Sequence, residues 1–69
     1  MKRIKIIRKK NGKAYYILFA RKNKKGFYTF WKFSHKVECA KPFDAKDAIS
    51  MRDALVKKYN FEIQIEDLQ

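Results

Sequence analysis

Apolar and polar positions divide the chain into five segments. Residues 4–8, 15–21 and 27–33 are apolar-rich runs of strand length, separated by turn residues. Residues 45–59 have the apolar spacing of an amphipathic helix, and residues 61–66 alternate apolar and polar side chains. This order predicts an α+β fold of the βββαβ type. We expect a three-stranded antiparallel sheet, one helix packed on one face and a short C-terminal strand.

The first turn contains the dipeptide Asn11-Gly12 between two apolar runs. This dipeptide favours a type I′ hairpin turn, in which both central residues have positive φ. A turn centred there pairs Ile6 with Ile17. The sequence therefore predicts both the first hairpin and its register.

The second turn, residues 22–26, is polar and ends in a glycine. We expect Arg21 to lie opposite Phe27 across it, which sorts the three strands into two faces. A slip of one residue would exchange the faces of the third strand. One predicted face carries Ile4, Ile6, Tyr15, Ile17, Phe19, Thr29, Trp31 and Phe33. The other carries Arg3, Lys5, Ile7, Tyr16, Leu18, Tyr28, Phe30 and Lys32.

The helix has recognisable start and end signals. Asp44 is a favourable N-cap, and Asn60 can end the helix in the left-handed conformation. Arg52 interrupts the apolar stripe, so we expect it to reach solvent or to pair with Glu62 or Glu66. The predicted stripe consists of Ala45, Ala48, Ile49, Leu55, Val56 and Tyr59.

This stripe is expected to cover the aliphatic face of the sheet. Trp31 and Ile17 should then pack against Ala48 or Leu55. Nothing in the remaining sequence covers the second face. With 69 residues, the chain is expected to form a single domain over residues 1–69.

Charge is distributed unevenly along the chain. The net charge is +11; residues 1–36 hold thirteen Lys/Arg and no acid, whereas residues 37–69 hold five Lys/Arg and seven acids. Such polarity favours an anionic partner. A solvated basic surface, a membrane surface and an acidic protein are the alternatives.

The uncovered face combines basic and aromatic side chains, as nucleic-acid binding requires. Lys and Arg neutralise phosphates, while aromatic rings stack on bases or a basic sheet enters a groove. Alternatively, the aromatic residues pack against each other across strands, or a dimer buries the face. The predicted nucleic-acid-binding residues, including those of the turns, are Arg3, Lys5, Arg8, Lys9, Lys10, Lys13, Tyr16, Lys22, Lys24, Lys25, Tyr28 and Lys32.

Other chemistry has little support in the sequence. Cys39 and His35 are the single cysteine and histidine, too few for a structural zinc site and for any intrachain disulfide. Both glycines lie in turns, so no glycine-rich phosphate loop exists. We expect no enzyme activity, no cofactor and no small-molecule substrate. The longest uncharged run, residues 14–20, is too short for a membrane span, and cysteine usage suits the cytoplasm.

Residues 40–48, AKPFDAKDA, with the helix and the closing FEIQIE strand resemble the C-terminal half of many small phage-encoded accessory proteins. This resemblance covers about half of the chain and implies no activity. Some small phage proteins inhibit host defence complexes.

A second resemblance is to the N-terminal arm-type DNA-binding domain of conjugative-transposon integrases. It is carried by residues 8–12, RKKNG, by Tyr16, Gly26 and residues 31–33, WKF, and by residues 49–53, ISMRD. That family inserts a three-stranded sheet into the DNA major groove. The resemblance implies that Lys32, Tyr28, Leu18 and Tyr16 lie toward the groove. The chain differs from the family in its final strand and in lacking a catalytic domain.

Two functional hypotheses follow. The first is a small basic protein of phage or mobile-element origin that binds nucleic acid, with duplex DNA favoured, through its sheet face and hairpin turns. The second is a phage-encoded, anti-CRISPR-like inhibitor that docks the same face on an acidic host protein or nucleoprotein complex.

Overall fold

The computed structural model describes residues 1–68 and shows an α+β fold with the expected βββαβ order. Its strands are β1 (Lys2–Ile7), β2 (Ala14–Lys22), β3 (Tyr28–Ser34) and β4 (Glu62–Asp67); its helix is α1 (Ala45–Lys58), and a short 3-10 turn covers Val37–Cys39. All strands join one antiparallel sheet in the order β3-β2-β1-β4. The sheet therefore has four strands rather than three, because β4 pairs along the whole of β1.

The core lies between the sheet and α1, on what we call the core face of the sheet. Ile17 belongs to the same buried cluster as Ala48 and Leu55, and Trp31 packs against this cluster while remaining half-buried. The helix therefore packs on this face of the sheet, as expected. Burial of each large aliphatic side chain contributes about 1.5–3 kcal/mol. The buried residues are Ile4, Ile6, Ile17, Tyr28, Phe43, Ala48, Met51 and Leu55.

The N-cap of α1 was predicted correctly, but its C-cap was not. The Asp47 amide donates to the Asp44 carboxylate at 2.7 Å, which satisfies a free N–H of the first turn. The helix ends at Tyr59, whose backbone is extended (φ −127°). Within residues 1–68, only glycines have positive φ, so Asn60 is not a left-handed cap. Instead, the Tyr59 ring stacks on Phe61, with centroids 4.8 Å apart.

The buried stripe of α1 is rotated relative to the prediction. Met51 is fully buried, whereas Ile49 and Val56 are exposed by 47% and 57%. A flexible methionine fills the core position, and this rotation carries Arg52 to the margin of the helix. Its guanidinium lies 3.7 Å from the Asp53 carboxylate, so Arg52 does not reach the acids of β4.

The first turn exists, but it is not of type I′. Asn11 has a negative φ, and Gly12 alone has the left-handed conformation (φ +69°). The Gly12 amide donates to the Arg8 carbonyl at 2.8 Å, which closes a longer loop. As a result, Ile6 lies opposite Tyr15 rather than Ile17. The shift is an even number of residues, so the faces of β1 and β2 near the turn are as expected.

The sheet divides beyond this first hairpin. β1 and β2 pair over only three residue pairs, and the segment before α1 lies in the gap between them. The Lys41 amide donates to the Ile17 carbonyl at 2.7 Å, and Phe43 forms backbone hydrogen bonds with β1. Residues 18–22 of β2 and 28–32 of β3 therefore extend away as a two-stranded unit, which we call the ribbon.

Two irregularities in the ribbon change which side chains face the helix. Leu18 is an extra residue in β2 and Thr29 an extra residue in β3. Each extra residue reverses the alternation of faces beyond it. Phe19, predicted on the core face, lies on the outer face and is 39% exposed. Tyr28, predicted on the outer face, is buried at 8% exposure and packs edge-to-face on Phe43.

Candidate nucleic-acid interface

The outer face of the ribbon forms a shallow depression of about 620 Å³. Its three apolar residues, Leu18, Phe19 and Phe30, are exposed by 42%, 39% and 46%. Two basic residues complete the lining, and β2 and β3 carry no acidic residue. We call this surface the ribbon patch; it consists of Leu18, Phe19, Arg21, Phe30 and Lys32.

Four residues of the ribbon patch form two cross-strand pairs. Phe19 lies opposite Lys32, and Arg21 lies opposite Phe30 rather than Phe27 as predicted. Aromatic and basic side chains therefore alternate both along and across the strands. The Phe19 and Phe30 rings meet edge-to-face with centroids 6.0 Å apart, and the Arg21 guanidinium lies 5.6 Å from the Phe19 centroid. Cross-strand and cation–π contacts of this kind hold the side chains in position.

The other half of the outer face is less basic than the sequence suggested. Lys5 and Tyr16 lie on the outer face, as predicted, and both are half-buried; the shifted register places them directly opposite each other on β1 and β2. However, β4 places acids and amides beside β1. The Arg3 guanidinium donates to the Glu66 carboxylate at 2.9 Å and lies 5.8 Å from the Tyr16 ring centroid. Part of the charge of Arg3 is thus neutralised within the protein.

The first turn presents four of the predicted basic residues, all of them exposed: Arg8, Lys9, Lys10 and Lys13. The Arg8 guanidinium lies 4.8 Å from the Tyr15 ring centroid and 5.7 Å from that of Phe61. The Asn11 carboxamide accepts a hydrogen bond from the backbone amide of Lys13, which organises the loop. Within residues 1–68, none of these four residues forms an ion pair.

The second turn holds Lys24 and Lys25 at its exposed tip. Asn23 organises this turn, since its carboxamide accepts hydrogen bonds from the amides of Lys25 and Phe27. Gly26, at φ +87°, supplies the left-handed residue of a three-residue hairpin loop. Neither lysine is ion-paired among the residues that the structure describes.

Lys22 and Tyr28 differ from the other predicted site residues because both face the helix. The Lys22 ammonium donates to the Asp47 carboxylate at 2.6 Å, and this hydrogen bond raises the pKa of Lys22. Burial raises the pKa of the Tyr28 phenol, and the Asp47 charge adds to the effect. Tyr28 is therefore a core residue rather than a binding residue on the outer face.

Sequence reasoning omitted Phe19 and Arg21 from the predicted site, although both line the ribbon patch. Their positions depend on Leu18, the extra residue in β2, which the apolar pattern does not reveal. A weak signal exists at Ala20, a small residue between two large ones that suits the core face opposite Trp31.

Within residues 1–68, no group of three or more His, Cys, Asp or Glu side chains could hold a metal ion. No helix in this part of the chain is long and apolar enough to cross a membrane. Comparison of the chain with family models, curated proteins and solved structures finds no match.

Proposed function

We propose that this protein is a small nucleic-acid-binding protein of phage or mobile-element origin, with duplex DNA as the favoured partner. The observation that carries the proposal is the continuity of basic charge along β2. β2 has a basic turn at each end, with the ribbon patch between the two turns. Residues 8–36, which include both turns, β2 and β3, contain no acidic residue.

The turns supply the sequence-independent part of binding. Their lysines and arginines neutralise phosphates and release counterions, which is the main source of affinity for a polyanion. The two turns lie at opposite ends of β2, a strand of nine residues. At about 3.4 Å per residue, roughly 30 Å separates them. A stiff duplex spans such a distance with less loss of conformational freedom than a flexible strand, since its persistence length is about 50 nm.

The outer face of the sheet supplies the contacts between the turns. Lys32 and Arg21 point to the same side as the exposed rings of the ribbon patch. A two-stranded ribbon fits the major groove of duplex DNA, where cationic side chains reach phosphates or base edges. Lys5 and Tyr16 extend this surface toward β1.

The test is an electrophoretic mobility-shift panel with duplex DNA, single-stranded DNA, RNA and an acidic polypeptide at several salt concentrations. Five or six phosphate contacts should give a slope of log affinity against log salt near about −5. We expect all three nucleic acids to bind more tightly than the polypeptide. Weak binding with no preference among the four polyanions would reduce the proposal to nonspecific charge attraction.

A second candidate function is supported by the exposed apolar area of the ribbon patch. Phe27 in the second turn, exposed by 66%, adds to this area. Contiguous apolar surface with a basic rim also suits docking on an acidic protein. We therefore keep an inhibitor of a host defence or nucleoprotein complex as the alternative. The identity of neighbouring genes separates the two: replication or integration genes favour the first, and defence-inhibitor genes the second.

A further inference from the structure

We propose that the ribbon patch binds an unpaired stretch of nucleic acid, with bases on Phe19 and Phe30 and phosphates on Arg21 and Lys32. The inference rests on the proposed function and adds to it the form of nucleic acid that this surface takes. The basic turns bind any phosphate backbone. On a duplex, Arg21 and Lys32 still reach phosphates, but the two rings meet no unstacked base. The ribbon patch therefore distinguishes unpaired from paired bases.

The exposed rings of the ribbon patch favour unpaired bases. The patch is shallow and largely open, and its apolar lining includes two exposed aromatic rings. Bases stacked inside an intact duplex expose their edges in the grooves, whereas a single strand can turn the flat face of each base onto a ring. An exposed aromatic surface therefore matches single-stranded nucleic acid better than the outside of a duplex.

The charge pattern matches the repeat of a nucleic-acid strand. Each aromatic residue lies directly opposite a basic one, in the pairs Phe19–Lys32 and Arg21–Phe30. Base and phosphate also alternate along a nucleotide chain. A strand crossing the ribbon can place two successive bases on the rings and its phosphates beside the cations. No carboxylate on β2 or β3 opposes this arrangement.

The charge pattern also argues against a second copy of this chain as the occupant. In a dimer that buries the ribbon patch, Arg21 and Lys32 of each copy would meet the same cations of the other. No acid on either ribbon would compensate them, and buried unpaired charges are costly. An anionic occupant removes this cost because each phosphate pairs with a cation.

The test compares a labelled oligothymidylate, which stays unpaired, with a labelled mixed-sequence duplex, using fluorescence anisotropy. Phe30→Ala should weaken oligothymidylate binding by about 5- to 150-fold, which corresponds to the loss of one stacking contact. Duplex affinity and its salt slope should stay unchanged, since no charge is removed. Phe19→Ala should behave in the same way.

Three further variants make the comparison sharp. Phe30→Leu keeps an apolar side chain but removes the aromatic face, so it should lose affinity as Phe30→Ala does. Phe30→Tyr keeps the ring and should retain wild-type affinity. Phe27→Ala removes an equally large ring that is 66% exposed in the turn but outside the ribbon patch, and should change nothing. Fluorescence of Trp31, on the core face, checks that each variant is folded.

Different results would overturn different claims. Unchanged binding of oligothymidylate by Phe30→Ala and Phe19→Ala, with duplex binding intact, would refute this inference and leave the proposed function standing. No salt-dependent binding of either probe by the wild type would refute both. Tight binding of polyglutamate that is lost in Phe30→Ala would assign the ribbon patch to protein docking instead. A wild-type dimer in sedimentation that Phe30→Ala dissociates would assign it to self-association.

Discussion

At the scale of single residues, side chains on the core face of the ribbon stabilise the fold, whereas those on its outer face are available for binding. Tyr16 and Tyr28 are both tyrosines in neighbouring strands, yet only Tyr16 lies on the outer face. Tyr28 packs on Phe43 in the core, at 8% exposure. We therefore expect substitution of Tyr28 to affect folding. Substitution of Phe30, which lies on the opposite face of β3, should affect binding.

Substitution of Tyr28 should separate these roles. Tyr28→Ala removes a buried ring and should lower the free energy of unfolding by about 3–5 kcal/mol. Tyr28→Phe keeps the ring on Phe43, so stability at neutral pH and nucleic-acid affinity should stay close to wild type. Chemical denaturation and anisotropy measure the two effects. A Tyr28→Phe variant that folds normally but loses affinity would show that the Tyr28 hydroxyl contributes to binding.

The wild-type protein and Tyr28→Phe should differ in stability in alkaline solution. Burial raises the pKa of Tyr28 above its ordinary value of 10.0, so the folded state favours the neutral phenol. This contribution is complete below pH 10 and is lost as pH rises through the folded-state pKa. The raised pKa of Lys22 acts in the same direction in both proteins, because its largest cause is the hydrogen bond to Asp47. Melting temperatures measured above pH 10 should therefore fall more steeply for wild type than for Tyr28→Phe.

At the scale of elements, the strands and helix that local sequence patterns encode were predicted correctly, and the features that depend on strand register were not. Strands, helix and their order follow from local apolar periodicity, and Asp44 is a local signal that the structure confirms. The extra residues Leu18 and Thr29 are different, because no local apolar pattern shows where a strand gains one residue relative to its partner. The faces of Phe19 and Tyr28 were therefore predicted wrongly.

Local patterns also did not predict which strand β4 pairs with. Alternation in residues 61–66 predicts a strand but does not specify its neighbour. The structure pairs it with β1, which brings Glu66 to Arg3. Candidate residues in the turns depended only on exposure and charge, so Lys10 and Lys24 lie where the sequence suggested. Residues within the sheet depended on register, and the predicted site is least accurate there.

The N-cap of α1 provides a stability test at this scale. Asp44→Ala removes the acceptor for the Asp47 amide and should destabilise the protein by about 1 kcal/mol. Asp53→Ala is the matched control, since it removes the same charge from an exposed position in mid-helix. Urea denaturation should show a clear loss for the first variant and a much smaller one for the second. Equal losses would mean that charge, rather than capping, stabilises the start of α1.

At the scale of the whole molecule, charge is polarised in sequence and in space. Residues 37–69 contribute acids that pair with Lys2, Arg3 and Lys22 of the first half. These ion pairs neutralise positive charge on β1 and on the core face of the ribbon. Within residues 1–68, the turn lysines keep their charge without such a partner. The strongest positive field is therefore expected at the two ends of β2, with the ribbon patch between them.

This arrangement predicts a dependence of affinity on duplex length. The turns are roughly 30 Å apart, which corresponds to about nine base pairs at 3.4 Å per step. Shorter duplexes can contact only one turn, so affinity should increase sharply beyond this length. On a long duplex, Lys10→Ala and Lys24→Ala should each reduce the salt slope by about one, and the double variant by about two. On a short duplex, the double variant should lose no more than one unit.

Lys46→Ala is the matched control for this experiment, because it removes an exposed lysine from α1, on the other side of the sheet. It should leave the slope close to that of the wild type at every duplex length. Anisotropy titrations across a length series measure all of these quantities. If affinity grows smoothly with length and Lys46→Ala lowers the slope as much as Lys10→Ala does, the positive charge acts as a diffuse field. The two turns would then not be separate contact points, and only the ribbon patch would distinguish one nucleic acid from another.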